Sequence, residues 1–297
     1  MAINNLTKNL ILTPFNLLYK VNPKLDLKIL FRLKLGYKLN LENPVTYNEK
    51  LQWIKLYDKN SLMPLCCDKY TVRKYVQDKG YGNILNDLLW EGFNPEEIPF
   101  DELPNKFVIK VTHGSNFNII CKDIHTFDKN EVRKKCSKWL KAKFLPCYGE
   151  WFYDIVRPRI VVEKYIESDN KNGLLDYKFF CFNGSVKCVY VSSSKINDSS
   201  YYIDYFDENW NYMNIKRKGH KSFGKMDKPK KFDEMKKIAE NLSKDFLHAR
   251  IDFFYEDDKI YFGEITFTTS AGFGKIAPFL YDIKMGEWLK LPMRKGD

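Results

Sequence analysis

The chain has 297 residues, 44% of them hydrophobic and 16% aromatic, enough apolar mass for a substantial core, which excludes an intrinsically disordered protein. Its net charge of +11 favours acidic partners as a group (nucleotides, anionic polysaccharide, nucleic acid or an anionic membrane surface) without choosing among them. The seven Cys lie mostly in apolar or helical runs with no CxxC, which excludes a disulfide frame and a Cys-based zinc site and predicts reduced, buried thiols.

Residues 1–24 mix apolar side chains with Lys and are interrupted by Pro14. Leu10, Ile11, Leu12, Phe15, Leu17 and Leu18 predict a short helix that packs on its own domain or touches a membrane or partner. No run approaches transmembrane length, and the start lacks the pattern of a secretion signal. A cytoplasmic protein is therefore expected, with peripheral contact at the inner membrane face as a variant. Thr46 and Glu49 form a capping box, opening a helix with Leu51, Ile54 and Tyr57 turned inward. A second helix is predicted over 68–79, stopped by Gly80, with Val72 and Val76 inward. Residues 81–105 read as a connection marked by Pro and Gly.

In 106–123, KFVIKVTHGSNFNIICKD, two β-rich runs flank a small-residue loop from His113 to Asn118, and Lys110 lies on the strand that enters it. Such a loop lets backbone N–H groups close on phosphate oxygens, although an ordinary hairpin turn has the same composition. It is not a Walker A motif, because the Gly-Lys-Ser/Thr order is missing. A basic amphipathic helix follows over 128–144, capped by Asp128, with Val132, Cys136, Trp139 and Leu140 as its apolar stripe. A buried strand is predicted over 159–166. Residues 175–191 form a hairpin turning at Asn183-Gly184, with Asp176 and Lys178 on one face. A further strand pair over 201–213, a basic loop over 219–231 and a helix over 232–246 come next.

The stretch 246–269, FLHARIDFFYEDDKIYFGEITFTT, reads as two strands joined at Glu256-Asp257-Asp258. Alternation puts His248, Arg250 and Asp252 on one face, and Phe262, Glu264 and Thr266 on one face of the second strand. Pairing brings Glu264 opposite or diagonal to Asp252. Two carboxylates and an Arg on one face suit a divalent cation and a polyanion, while a salt-bridged solvent face is the alternative. A small-residue loop over 268–274 and a last helix over 281–289 complete the chain. The order of elements predicts an α+β fold with antiparallel sheets.

In this order the segments YNEKLQWIKLYD, DKYTVRKYV, FVIKVTHGSNFNIICKD, PRIVVEKYIE, DYKFFCFNG, ARIDFF, KIYFGEITF and GEWLKLP resemble the TupA-like ATP-grasp family of polysaccharide-biosynthesis proteins, over about 47–292. The resemblance implies ATP held between two antiparallel sheets. It divides the chain into an N-terminal helical extension (1–45), a pre-ATP-grasp-like region (46–105), a subdomain with the phosphate loop (106–165) and a subdomain with the metal site (166–297). It implies that Lys110 and Lys178 contact nucleotide phosphates and that the loop with Gly114, Ser115 and Asn116 covers them. The backbone and carboxylate of Glu163, Lys164, Tyr165 and Ile166 would read adenine. Asp176 would lie near the ribose or the metal, Arg250 would neutralise phosphate charge, and Asp252 and Glu264 would hold magnesium. Thr266 stands where many ATP-grasp enzymes carry Asn, and Phe117 stands in a loop that is often richer in Gly.

The activity implied is an ATP-dependent carboxylate–amine ligase working through an acylphosphate, with ATP and Mg2+ as cofactors. The carboxylate is expected on a uronic acid of a bacterial surface polysaccharide or its precursor, as in capsule or teichuronopeptide-like biosynthesis, with an amino acid or amino alcohol as the amine. Arg250, Lys178 and His113 are the expected catalytic groups, with His248 as a further acid–base candidate. Two rival readings are a glycosyltransferase of the same polysaccharide and a basic module binding glycan or nucleic acid. Nucleic acid is not expected, because no RNP-like, helix-turn-helix or zinc pattern is present.

Overall fold

The computed structural model describes residues 5–114, 116–194, 201–217 and 219–293. The chain opens with a helical hairpin, α1 (Asn5–Val21) and α2 (Pro23–Leu35). The Asn22 side chain caps α2 by accepting from the Leu25 amide at 3.0 Å, and Gly36 closes it at φ 89°. Pro14 does not break α1, contrary to expectation. Leu12, Phe15 and Tyr19 pack with Leu30 and Cys147, and that tertiary contact carries the helix across the lost hydrogen bond.

Next come α3 (Tyr47–Tyr57), α4 (Leu62–Cys67) and α5 (Val72–Asp78). The capping box is formed: Glu49 N donates to Thr46 Oγ1 at 3.2 Å, and Thr46 N to Glu49 Oε2 at 2.9 Å. The expected helix over 68–79 starts four residues late, because the Asp68 carboxylate accepts from the Tyr70 and Thr71 amides and turns the chain. Residues expected only to connect contain β1 (Leu88–Gly92).

β1 is an edge of the smaller sheet, with β2 (Phe107–Val111), β3 (Asn118–Cys121) and β4 (Ile160–Lys164) in the order β1-β4-β2-β3, all antiparallel. Between β3 and β4 runs α6 (Lys129–Leu140), which ends four residues before the expected limit. Its Val132 and Cys136 close a core with Ile98, Phe100, Phe107, Ile109, Val111 and Ile160.

The larger sheet comprises β5 (Asp176–Phe182), β6 (Ser185–Ser194), β7 (Tyr201–Asp207), β8 (Tyr212–Met213), β9 (His248–Glu256) and β10 (Lys259–Thr266). Its order is β10-β9-β5-β6-β7-β8, antiparallel throughout. Asn183 and Gly184 both have positive φ, as the expected hairpin turn requires. Between β8 and β9, α7 (Phe232–Ser243) lays Phe232, Met235, Ile238, Ala239 and Leu242 on one face of this sheet. α8 (Phe279–Trp288) ends the fold and packs against α3.

One register feature corrects the expectation that Phe262, Glu264 and Thr266 share a face. Phe262 pairs with Phe253 and Glu264 with Asp252, so Gly263 is an extra residue, a β-bulge. The bulge sends Phe262 into the core beside Phe253 and turns Glu264 and Thr266 toward Asp252 and Arg250.

Helix α3 also fixes the loop over 268–274. Gln52 Nε2 donates to the Gly272 carbonyl at 2.7 Å, and Lys55 Nζ to the Ala271 carbonyl at 2.7 Å. These bonds hold Ser270, Ala271 and Gly272 in the left-handed region, an arrangement costly for the first two.

His248 is a core residue and not an acid–base group. Its Nδ1 bonds the Phe267 carbonyl at 2.9 Å, and its Nε2 bonds the Tyr47 hydroxyl at 3.1 Å. Burial pulls its pKa down from 6.5 to about 4. The unfolded chain therefore takes up this proton first as pH falls. His248 contributes stability above 6.5 that is lost on the way down to 4, by about 3 kcal/mol. Urea unfolding of wild type and His248→Phe across this window should show the variant lacking that share of the pH slope. An unchanged slope would contradict the neutral, buried state.

Candidate active site

The face of the larger sheet opposite α7 carries a charged cluster on three neighbouring strands. Cross-strand pairing sets Lys178 of β5 against Asp252 of β9, and Asp252 against Glu264 of β10. Asp252 is fully buried and accepts from Lys178 Nζ at 2.5 Å, Arg250 Nε at 2.7 Å and Arg250 Nη2 at 2.6 Å. Lys178 also bonds Asp176. Arg250 Nη2 reaches Glu264 Oε1 at 3.1 Å and Thr266 Oγ1 at 3.0 Å, while the Thr266 hydroxyl donates to Glu264 Oε1 at 3.0 Å.

Electrostatics follow from that packing. Burial pushes the Glu264 carboxyl up, but the charges of Lys69, Arg250 and Lys178 outweigh it and hold the group at about 2. Burial pushes Asp176 up to about 6 against the pull of Lys178. Burial lowers Lys178, and Asp176 and Asp252 more than reverse this, so it stays charged.

The smaller sheet supplies the opposing wall. Lys110 of β2 donates to Glu163 Oε2 at 2.6 Å, and Arg73 from α5 lies 3.6 Å from Glu163 Oε1. The Lys164 backbone is occupied: its N–H bonds the Asp87 carbonyl at 3.0 Å, and its carbonyl accepts from Asn86 at 2.7 Å. β4 ends at Lys164, so Tyr165 and Ile166 lie just beyond the end of that strand. Gly114 is buried, and a Cβ there would lie 1.9 Å from the Phe117 ring, which stacks on Trp139 at 5.2 Å. Asn116 turns the loop with φ 61°. Ser115 lies outside the described residues.

Two cavities meet at this cluster. One, of about 330 Å³, is lined by Lys110, Gly114, Asn116, Asp176, Lys178, Asp252 and Glu264 among others. The second, of about 170 Å³, is lined by His113, Glu150, Tyr153, Arg250, Thr266 and Thr268 among others. Lys69, Gly114 and Glu264 line both. Lys69 Nζ donates to the Gly114 carbonyl at 2.8 Å and lies 4.0 Å from Glu264. The sequence reading passed over Lys69 although it is the second residue of DKYTVRKYV; the helix expected there gave no local reason to place it at a cleft. Glu150 was also missed. It accepts from Thr268, and burial raises its pKa while Lys55 opposes the rise. His113 bonds the Ala142 carbonyl through Nε2 at 2.9 Å, while its buried Nδ1 has no partner among the described residues.

Among the described residues no group of three or more His, Cys, Asp or Glu is arranged to hold a metal by itself. Mg2+ asks for less, since one or two carboxylates plus substrate phosphates and water satisfy it. Asp252 and Glu264 are neighbouring carboxylates, with both Asp252 oxygens held by Lys178 and Arg250, bonds a metal would have to share or displace, and the buried Asp176 Oδ1 has no partner in the same cavity. The donor set fits magnesium brought in with a nucleotide.

A nucleotide-scale cleft bounded by two antiparallel sheets, with a lysine on each, is the construction of the ATP-grasp class. The chain belongs to the TupA-like ATP-grasp family, whose model matches residues 49–290. No curated protein matches it. Among solved structures it is similar to the D-alanine–D-alanine ligase of Bacillus anthracis complexed with ATP, at 18% identity over 68% of this chain and 55% of that one, TM-score 0.41. The D-alanine–D-alanine ligase of Helicobacter pylori is 15% identical over 82% of this chain and 69% of that one, TM-score 0.41. The ATP-grasp ligase PsnB, complexed with a phosphomimetic variant of its minimal precursor, Mg and ADP, is 13% identical over 74% and 57%, TM-score 0.43. The chain spans little more than half the length of the Bacillus anthracis ligase.

Proposed function

We propose that this protein is an ATP-dependent carboxylate–amine ligase. The observation that carries the reading is the junction of the two cavities at Glu264, Lys69 and Gly114, with Arg250 on the side of the smaller one. The larger cavity suits the nucleotide phosphates, and the smaller, polar one suits the reacting groups of the acceptors. In this reading residues 106–165 and 166–297 act as the two halves of the grasp, with β1 extending the first half back to Leu88.

Lys110 and Lys178 hold the phosphates from opposite walls, with Gly114 and Asn116 of the loop beside them. Asp252 and Glu264 would hold magnesium, with Thr266 bonded to Glu264 and Asp176 bonded to Lys178 beside them, and the metal would draw charge from the phosphate oxygens. A substrate carboxylate attacks the γ-phosphorus, ADP departs, and the acylphosphate is taken by an amine with release of phosphate. Lys69 and Arg250 neutralise charge on the transferred group, and His113 offers its open Nδ1 to an acceptor. The work is positioning and electrostatics, so no nucleophilic Ser or Cys is required.

The basic surface favours an acidic acceptor, and the family resemblance points to a uronic acid of a surface polysaccharide joined to an amino acid or amino alcohol. The protein would act in the cytoplasm, where ATP is supplied. Among the described residues no helix is long and apolar enough to cross a membrane. The test is ADP release from MgATP with a panel of uronic acids and amines. Release that needs both a carboxylate and an amine, with an amide product, is the expected result. Release of UDP from a UDP-sugar without ATP would replace this reading with the glycosyltransferase.

A further inference from the structure

The N-terminal helical hairpin holds a surface that the nucleotide chemistry does not use. Residues 1–41 contain seven cations (Lys8, Lys20, Lys24, Lys28, Arg32, Lys34 and Lys38) and one acid, Asp26, so this short stretch carries +6 of the chain's +11. Asp26 is fully buried, so it presents no negative charge at the surface. The same two helices expose six large apolar side chains: Ile11, Leu17, Val21, Leu25, Ile29 and Leu33.

On α2 these two features are ordered. Leu25, Ile29 and Leu33 are 45%, 37% and 67% exposed and recur every fourth residue. Lys24, Lys28 and Arg32, also exposed, recur in step one residue earlier. At about 100° per residue the cations cover one half of the solvent face and the aliphatic side chains the other. Leu27, Leu30 and Phe31 face the protein, so the outer rows are not needed for packing. None of Lys24, Lys28 and Arg32 has an acidic partner among the described residues. At the corner with α1, Val21 is 85% exposed.

We propose that the outer face of α2, with the end of α1, docks on an anionic phospholipid bilayer, the cations against headgroup phosphates and the aliphatic row in the acyl boundary. The pattern favours a bilayer over the other anionic partners. Nucleic acid would be served by exposed aromatics beside the cations, and this face offers Leu and Ile. A second copy would meet the face with the same charge and no exposed acid. A surface of this size binds reversibly, and high salt weakens it.

The experiment is co-sedimentation of the full chain with phosphatidylcholine vesicles, with and without phosphatidylglycerol. Wild type should sediment with the anionic vesicles only, and salt should release it. Lys24→Gln/Lys28→Gln/Arg32→Gln should lower partitioning about a hundredfold, from roughly fivefold for each cation. Leu25→Ser/Ile29→Ser/Leu33→Ser should lower it at least about tenfold, since it removes the buried aliphatic contact. Both variants should keep the wild-type unfolding midpoint, because all six side chains are exposed. Equal binding to both kinds of vesicle, or none, overturns the proposal. So does wild-type partitioning by both variants, or capture of a single-stranded polynucleotide in place of the vesicles. Self-association abolished by the Leu/Ile variant, without vesicle binding, assigns the face to a second copy instead and equally overturns it.

Discussion

Asp252→Asn is expected to abolish stabilisation by MgATP and to cost the unliganded fold about 3 kcal/mol. Asp252 is fully buried, and both its oxygens are engaged by Lys178 and Arg250 at 2.5–2.7 Å. Asn is nearly the same size, so packing is retained and the change is one of charge. Two buried cations then share only Asp176 and Glu264. Removing one partner of a buried ion pair costs about 3–5 kcal/mol, because the remaining charge is left without compensation. The ligand effect has a separate origin, since the proposed magnesium pair would lose an anionic oxygen. Urea unfolding with and without MgATP separates the two contributions. Glu264→Gln should lose the ligand effect with a smaller cost to the free protein, because the Glu264 side chain is 39% exposed. An Asp252→Asn protein that MgATP stabilises as much as wild type would remove Asp252 from the site.

The second large effect is expected at a residue with no chemistry of its own. A Cβ on Gly263 would lie 2.9 Å from the Asp252 carbonyl oxygen and 3.4 Å from Asp252 Cβ. Both are fixed in the sheet and cannot swing aside. Gly263→Ala must then open the pairing at the bulge or remove the bulge. Strain of this kind costs about 1–3 kcal/mol. Losing the bulge would turn Glu264 and Thr266 away from Asp252 and Arg250, because a one-residue slip exchanges the two faces. MgATP affinity should therefore fall at least about a hundredfold, out of proportion to the stability change. A variant that is destabilised but binds MgATP normally would show that the bulge serves packing alone.

The contrast between Asp252 and Gly263 also measures what was legible in the sequence. The hairpin carrying the carboxylates could be read because its alternation, its acidic turn and its Arg all agree. The turn at Asn183-Gly184 and the capping box at Thr46 were legible for the same reason: each has one physical solution. The bulge was not, because a Gly inside a strand pattern has the same letters whether it is paired or extra. Strand β1, LLWEG, lacks alternation and is half-buried throughout, so nothing marked it as part of a sheet. Lys69 and Glu150 reach the cavities through chain segments distant in sequence, and no local pattern encodes that approach. Pro14 misled in the opposite direction, since a real local preference yielded to packing against Leu30 and Cys147.

The most direct measurement of the central claim is the thermal unfolding of the purified chain with saturating MgATP, with a magnesium UDP-sugar, and with neither. A ligand that binds only the folded state, present at about 100 times its dissociation constant, adds about 2.7 kcal/mol of stability. A nucleotide cleft between the two sheets predicts that shift with MgATP and none with the UDP-sugar. No shift with MgATP, or a shift with the UDP-sugar alone, would contradict it.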